Sequence, residues 1–182
     1  MLPPHVAVAS IAAGHTYWMT IMDATMGYHQ IAIAPESQDL TCFITPWGRY
    51  KFKHAVMRLV SSGDEYNRTG YISLDQIPNT IKVVDDILAY DNTYQEHLQH
   101  MIKIMKRCDD TGITLNPRKF LFARNEVDYC GFKITEKGYS ANDTKVTAIK
   151  NFPLPENITD LRSFTGLVNQ LGRFPPEIAA MA

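Results

Sequence analysis

Residues 81–91 read IKVVDDILAYD, with Asp85 and Asp86 adjacent between Val83-Val84 on one side and Ile87-Leu88 on the other. Taking even one carboxylate out of water is costly unless something pairs with it. The β-branched and aliphatic runs around the pair predict a hairpin with the aspartates at or near its turn. The pair is then either a solvated turn or a site that holds a cation. A second pair, Asp109-Asp110, lies between Arg107-Cys108 and Thr111-Gly112 and reads as solvated. Four apolar flanks out of four set Asp85-Asp86 apart.

Consecutive side chains on a strand point to opposite faces, so only one of the two can aim at a given point unless the turn twists the chain. A cation site therefore needs a third carboxylate. Asp23 is the best candidate, because it ends the apolar segment 17–22 (YWMTIM) and precedes a turn-like Ala-Thr-Met-Gly. Hard cations such as Mg²⁺ take oxygen ligands and accept one or two carboxylates together with substrate phosphates. Two such ions about 4 Å apart clamp the attacking and leaving oxygens of a phosphoryl transfer.

The rest of the chain reads as strands and helices mixed at short spacing, an α+β domain. Segments 41–45 and 48–53 predict two strands joined through Pro46-Trp47. In the second, Tyr50 and Phe52 alternate with Arg49, Lys51 and Lys53, giving one apolar and one basic face. Thr93-Tyr-Gln-Glu96 is a capping box, followed by Leu98, Met101, Ile102 and Met105 at helical spacing and closed by Gly112. His97 and His100 lie three apart on this helix with no evident third ligand, so a solvated helix face is expected for them. A second helix is predicted from a cap near Asn142 to Pro153. A third carries Leu161, Phe164, Val168 and Leu171 and stops at Pro175-Pro176.

Composition narrows the function class little. With 18 basic and 19 acidic residues the net charge is −1, which gives no overall electrostatic footprint for nucleic acid. Any such basic surface must be local or outside this chain. No apolar run suits a bilayer span, and the N-terminus lacks the basic flank of a secretory signal, so no membrane partner and an intracellular, cytoplasmic setting are expected. The sequons at Asn67, Asn142 and Asn157 are then incidental. Cys42, Cys108 and Cys130 are scattered and read as reduced thiols.

From Pro3 to Phe174 the chain resembles the reverse transcriptase of Gypsy-type LTR retrotransposons. The segments that carry the likeness occur in the family's order: MDATMGYHQIAI (22–33), LTCFITPWGRYKF (40–52), VVDDILAY (83–90), EHLQH (96–100), GITLNPRKFLF (112–122), YCGFKITEKGY (129–139) and LRSFTGLVNQLGRF (161–174). The resemblance implies a palm over residues 1–140, an antiparallel sheet with helices packed on one face. Connecting and thumb-start helices would follow over 141–182. It implies RNA-directed DNA polymerisation, with Asp23, Asp85 and Asp86 as catalytic carboxylates around two Mg²⁺ ions, for which Mn²⁺ could substitute. Asp23 and Asp85 would be direct metal ligands with the Ala24 carbonyl helping, and Asp86 would support them.

The same resemblance assigns Tyr28 to a steric gate against ribonucleotides, Met57 to the nucleotide pocket and Lys119 to the departing pyrophosphate. Gly131, Phe132 and Lys133 match the hairpin that grips the primer strand. Expected partners are an RNA or DNA template-primer, a deoxynucleoside triphosphate, and the rest of a Pol polyprotein: fingers, thumb, RNase H and integrase. The chain departs from the family pattern at Val83, where an aromatic residue is usual, and at Val56 and Arg58, where Pro and Gly are usual. Arg58 would either clash with the nucleotide or reach a phosphate. The alternative expectation is an inactive retroelement remnant or a domesticated module that binds nucleic acid or protein.

Overall fold

The structure is a computed structural model that describes residues 4–9, 11, 17–74 and 77–171. In chain order these form α1 (Pro4–Ala9), β1 (Trp18–Asp23), β2 (Phe43–Thr45), β3 (Gly48–Tyr50), α2 (Val60–Leu74), β4 (Thr80–Val83) and β5 (Asp86–Asp91). Then come α3 (Tyr94–Thr111), β6 (Leu121–Arg124), β7 (Val127–Tyr129), β8 (Phe132–Thr135), β9 (Gly138–Ala141), α4 (Asp143–Lys150) and α5 (Ile158–Leu171).

The main sheet has the order β4-β5-β1-β6 and is antiparallel throughout. Its two central strands are covered on both faces, which explains why β1 and β5 read as nearly unbroken apolar runs. One face carries Met19, Ile21 and Leu88 against Val127, Tyr129, Phe132 and Ile134 of the three-stranded β7-β8-β9 sheet. The other carries Met22, Ile87 and Ala89 against Met101, Ile104 and Cys108 of α3. Fully burying a side chain such as Ile87 or Leu88 contributes roughly 1.5–3 kcal/mol. Helices α2 and α3 thus cover one face, as expected for a palm, while the small sheet and Val8 and Ile11 cover the other.

Helix α3 starts as the sequence predicts. Thr93 Oγ1 accepts from the Glu96 amide and Glu96 Oε2 accepts from the Thr93 amide, each at 3.2 Å. Its inward face differs from the expected one. Ile102 and Met105 are exposed, and the buried set is His97, His100, Met101, Ile104 and Cys108. The histidines are therefore not on a solvated helix face. The cause is Asp91 at the end of β5, whose Oδ2 accepts from Nδ1 of His97 at 2.7 Å and of His100 at 2.8 Å. Nε2 of each ring meets a threonine hydroxyl, Thr20 at 2.6 Å and Thr80 at 2.9 Å. Thr20 Oγ1 also accepts from the Ala123 amide at 3.1 Å, which leaves its proton for His97. Both nitrogens of each ring have a partner and Asp91 Oδ2 has two, so the cluster ties β1, β4, β5 and α3 together. Asp91 supplies the third side chain that the sequence reading did not find.

Helix α2 has weak intrinsic helix preference, with Gly63, Gly70, Ser61, Ser62 and Asn67 along it. Tertiary contacts fix it: Leu74 enters the core and the Arg107 guanidinium donates to the Ser73 carbonyl at 2.8 Å. Strand β3 ends at Tyr50, short of the predicted 48–53, and residues 48–53 are all exposed. Tyr50 and Phe52 nonetheless gather on Phe43, and Lys51 pairs with Asp39 at 2.8 Å. The Asn142 cap of α4 is present, its side chain accepting from the Thr144 amide. Phe152 meets Phe164 of α5, whose Leu161 and Val168 face solvent. The Pro175-Pro176 stop lies outside the described residues. Among the described residues, no helix is long and apolar enough to cross a membrane.

Candidate active site

Three aspartates lie at one end of the main sheet, although among the described residues only Asp91, His97 and His100 bring three ligand atoms within 4.8 Å of one another. Asp23 is the last residue of β1 and Asp86 the first of β5, and the two are direct cross-strand partners. Val83 pairs with Asp86, so the β4–β5 hairpin closes through the two residues Val84 and Asp85. Val84 sits at φ +53°, a conformation that a β-branched residue seldom adopts. Lys82 Nζ holds this turn from behind, donating to the Val84 carbonyl at 2.6 Å. The Ala24 amide donates to the Asp85 carbonyl at 3.0 Å and ties the turn to the end of β1. The twist answers the alternation problem: Asp85 leaves the strand, while Asp86 stays opposite Asp23.

Segment 114–116 runs alongside. Thr114 accepts from the Thr25 amide and the Asn116 amide donates to the Asp23 carbonyl, both at 2.8 Å. The short turn Pro117–Lys119 then brings Lys119 Nζ within 2.8 Å of Asp23 Oδ2. That bond, with the Asp23 charge, pushes the Lys119 pKa up. Asp86 is pushed above the usual carboxylate range, first by burial and also by the charges of Asp23 and Asp85. The Cys130 thiol, 3.6 Å from Asp86 Oδ2, and the Lys119 charge work against that rise. Asp85 Oδ1 is buried beside the phenol of Tyr66, short of well-formed hydrogen-bond geometry, and the Tyr66 pKa is raised first by burial and then by the adjacent Asp85 carboxylate.

Tyr28 stands in the short 3-10 turn Gly27–Gln30, its ring centroid 5.1 Å from that of Tyr66. Gly27 is required here because a Cβ would collide with the Tyr66 ring. Met57 and Arg58 are exposed, and Arg58 has φ +69°. The backbone conformation that favours glycine persists at position 58 even though the residue is arginine. At the β7–β8 turn, Cys130 and Gly131 have φ +50° and +85°, the signs of a type I′ hairpin. Phe132 is turned into the core, and Lys133 pairs with Glu126 at 2.8 Å and Asp143 at 3.3 Å.

The structure thus brings Asp23, Ala24, Asp85, Asp86 and Lys119 together, with Tyr28 joined to them through Tyr66. Tyr66, Tyr129 and Cys130 border the carboxylates but were not singled out from sequence. No local pattern marks Tyr66. Tyr129-Cys130-Gly131 carried only the turn glycine as a signal.

A family model described as Reverse transcriptase (RNA-dependent DNA polymerase) matches residues 4–134. The chain is 27% identical over 181 residues to the retrovirus-related Pol polyprotein from transposon gypsy of Drosophila melanogaster, covering 98% of this chain and 18% of that protein. It is 29% identical over 164 residues to the Pro-Pol polyprotein of Simian foamy virus type 1, covering 90% and 14%. The chain therefore spans less than a fifth of these polyproteins. Among solved structures, a foamy viral protease-reverse transcriptase in complex with double-stranded DNA superposes with a TM-score of 0.86 at 24% identity, over 93% of this chain and 30% of that one. The same viral protein in complex with an RNA/DNA hybrid gives 0.84 at 24% identity, over 93% and 23%. These likenesses establish the fold.

Proposed function

The chain belongs to the reverse transcriptase (RNA-dependent DNA polymerase) family, and on that premise we propose that it carries the nucleotidyl-transfer centre of a retrotransposon RNA-directed DNA polymerase. The observation that carries this reading is the placement of Asp23 directly opposite Asp86 in the ladder, with Asp85 next to them in the hairpin turn. An all-oxygen donor set suits Mg²⁺. The fit is supported by Lys119, whose ammonium already stands as a cation at Asp23 Oδ2. Asp23, Asp85 and Asp86, with the Ala24 carbonyl, would hold the metal. Bound Mg²⁺ would neutralise charge on the α-phosphate and lower the pKa of the attacking primer 3′-hydroxyl.

The side chains supply the rest. Twisting the Val84-Asp85 turn sets the carboxylates before substrate arrives, which limits reorganisation during the reaction. Lys119, exposed and bonded to Asp23, would move to the pyrophosphate leaving group. Tyr28, braced by Tyr66, would stand where a ribose 2′-hydroxyl would collide, and Met57 would line the same pocket. Gly131 would let a primer strand approach the main chain. Phe132, buried, and Lys133, ion-paired, would support that hairpin from behind. Template-primer, deoxynucleoside triphosphate and the remaining Pol domains are the partners this reading requires.

A second reading, a non-catalytic remnant that binds nucleic acid or protein, is favoured by Arg58. A long charged side chain occupies a glycine-type conformation in the segment that would pass the nucleotide. Primer extension decides. The chain should add deoxynucleotides to a primed RNA template with Mg²⁺, and Asp85→Asn should abolish this. No incorporation, even with a fingers segment supplied, would favour the remnant.

A further inference from the structure

We propose that the Tyr129-Cys130 turn is a positioning device for Asp86, in which the Cys130 thiol orients the carboxylate and the Tyr129 hydroxyl fixes its main chain. This rests on the polymerase reading of the site. Tyr129 is 1% exposed, and its hydroxyl lies 3.1 Å from the Asp86 carbonyl and 3.3 Å from that of Ile81, one on each strand of the carboxylate hairpin. One phenol thus spans β4 and β5 directly behind the turn. The next residue, Cys130, donates S–H to Asp86 Oδ2.

The backbone makes this contact expensive. Cys130 holds φ +50°, where glycine or asparagine costs less. Strain of this kind persists where the surroundings enforce it, and it collects at working sites. Here the left-handed turn brings the thiol to Asp86. A thiol bond to Oδ2 alone would leave the second Asp86 oxygen to a cation on the polymerase reading. The contact also joins the β7–β8 hairpin, expected to lie along the primer, to the centre that would act on the primer end.

Donor and packing roles separate by substitution. Cys130→Ala removes the donor, Cys130→Ser keeps one, and Cys130→Gly removes it while relieving the turn. The infrared S–H stretching band assigned to Cys130, by difference from Cys130→Ala, should lie on the hydrogen-bonded side and move on Asp86→Asn. The Mg²⁺ concentration for half-maximal primer extension should rise about fivefold in Cys130→Ala and Cys130→Gly, the scale of one weak hydrogen bond. Cys130→Ser should restore it. Cys130→Gly should unfold at a higher temperature than Cys130→Ala while sharing its raised Mg²⁺ requirement, so stability and metal dependence separate, which a purely structural role does not produce. A band typical of a free thiol, unchanged Mg²⁺ dependence in Cys130→Ala, or equal loss in Ala and Ser overturns the inference. The band is readable whether or not the chain polymerises. A shifted band in a parent chain that never extends primer therefore supports the contact and overturns the polymerase reading alone.

Discussion

Asp23 and Asp86 stand directly opposite each other in the β1–β5 ladder, on the sheet face that carries Met19, Ile21 and Leu88 rather than the face toward α3. Like charges opposed across a ladder destabilise it. The pair is accordingly a place where the fold is held against local electrostatics, by the Lys119 bond to Asp23 and the Cys130 bond to Asp86.

Asp86→Asn should therefore stabilise the folded chain at neutral pH while removing metal-dependent activity. The folded-state pKa of Asp86 is raised, chiefly by burial, so the folded chain binds its proton more readily than the unfolded chain. The parent loses stability as pH rises through that raised value. The variant does not titrate there. The gain is limited by the carboxylate's remaining contact with water. It should be full above the raised pKa and vanish below the ordinary carboxylate range, about 3.8. Urea midpoints of parent and variant across pH 3–8 (roughly, the range spanning carboxylate titration) check this. A variant no more stable than the parent at pH 7 contradicts it.

Lys119→Met separates two roles of one ammonium. Lys119 competes with a divalent ion for Asp23, so its removal should tighten apparent Mn²⁺ affinity several-fold, measured by electron paramagnetic resonance of free Mn²⁺. If the same lysine serves the leaving pyrophosphate, extension at saturating metal should fall by about 10²-fold, the lower end of what a positioned acid contributes. Tighter metal binding with an unchanged rate would assign Lys119 to charge balance only.

The carboxylate hairpin and the α3 cap were legible because their signals are local. Val83, Val84, Ile87 and Leu88 mark strands around an acidic turn, and Thr93 with Glu96 marks a helix start within four residues. What escaped depends on partners distant in sequence. His97 and His100 look like solvent-facing residues on a hydropathy pattern, and only Asp91, Thr20 and Thr80 make their burial favourable. Helix α2 is held by Arg107 and the core rather than by its own residues. Tyr66 and Cys130 border the carboxylates only after chain segments far apart have folded together. The resemblance placed the three aspartates and Lys119 in order, but the thiol contact and the Tyr66-Asp85 apposition belong to this chain's own side chains.

The histidine triad makes a stability prediction independent of activity. His97→Ala strips a buried donor from Asp91 and leaves Thr20 without its acceptor. The expected loss is about 3 kcal/mol, the scale for breaking a buried, hydrogen-bonded polar group away from its partner. In a double-mutant cycle, Asp91→Ala with His97→Ala should cost less than the two single losses added, because each single change orphans the other residue. Additive losses in urea unfolding would show that the two side chains act separately.

Arg58→Gly tests one of the positions where backbone and residue type disagree. At φ +69° an arginine pays for a left-handed conformation that glycine adopts freely, although glycine also makes the unfolded chain more flexible. The net stabilisation expected is roughly 0.5 kcal/mol, visible as a small rise in the urea midpoint. Functionally the two possible roles of the side chain predict opposite signs. An arginine that obstructs the nucleotide should, once removed, lower the KM for deoxynucleoside triphosphate. An arginine that reaches a phosphate should, once removed, raise KM and weaken its dependence on salt, since a guanidinium-phosphate pair is screened by ions. The exposed side chain and the glycine-type backbone favour obstruction, so KM should fall. An unchanged KM would show that this segment does not border the nucleotide, and the remnant reading would then lose the observation that supports it.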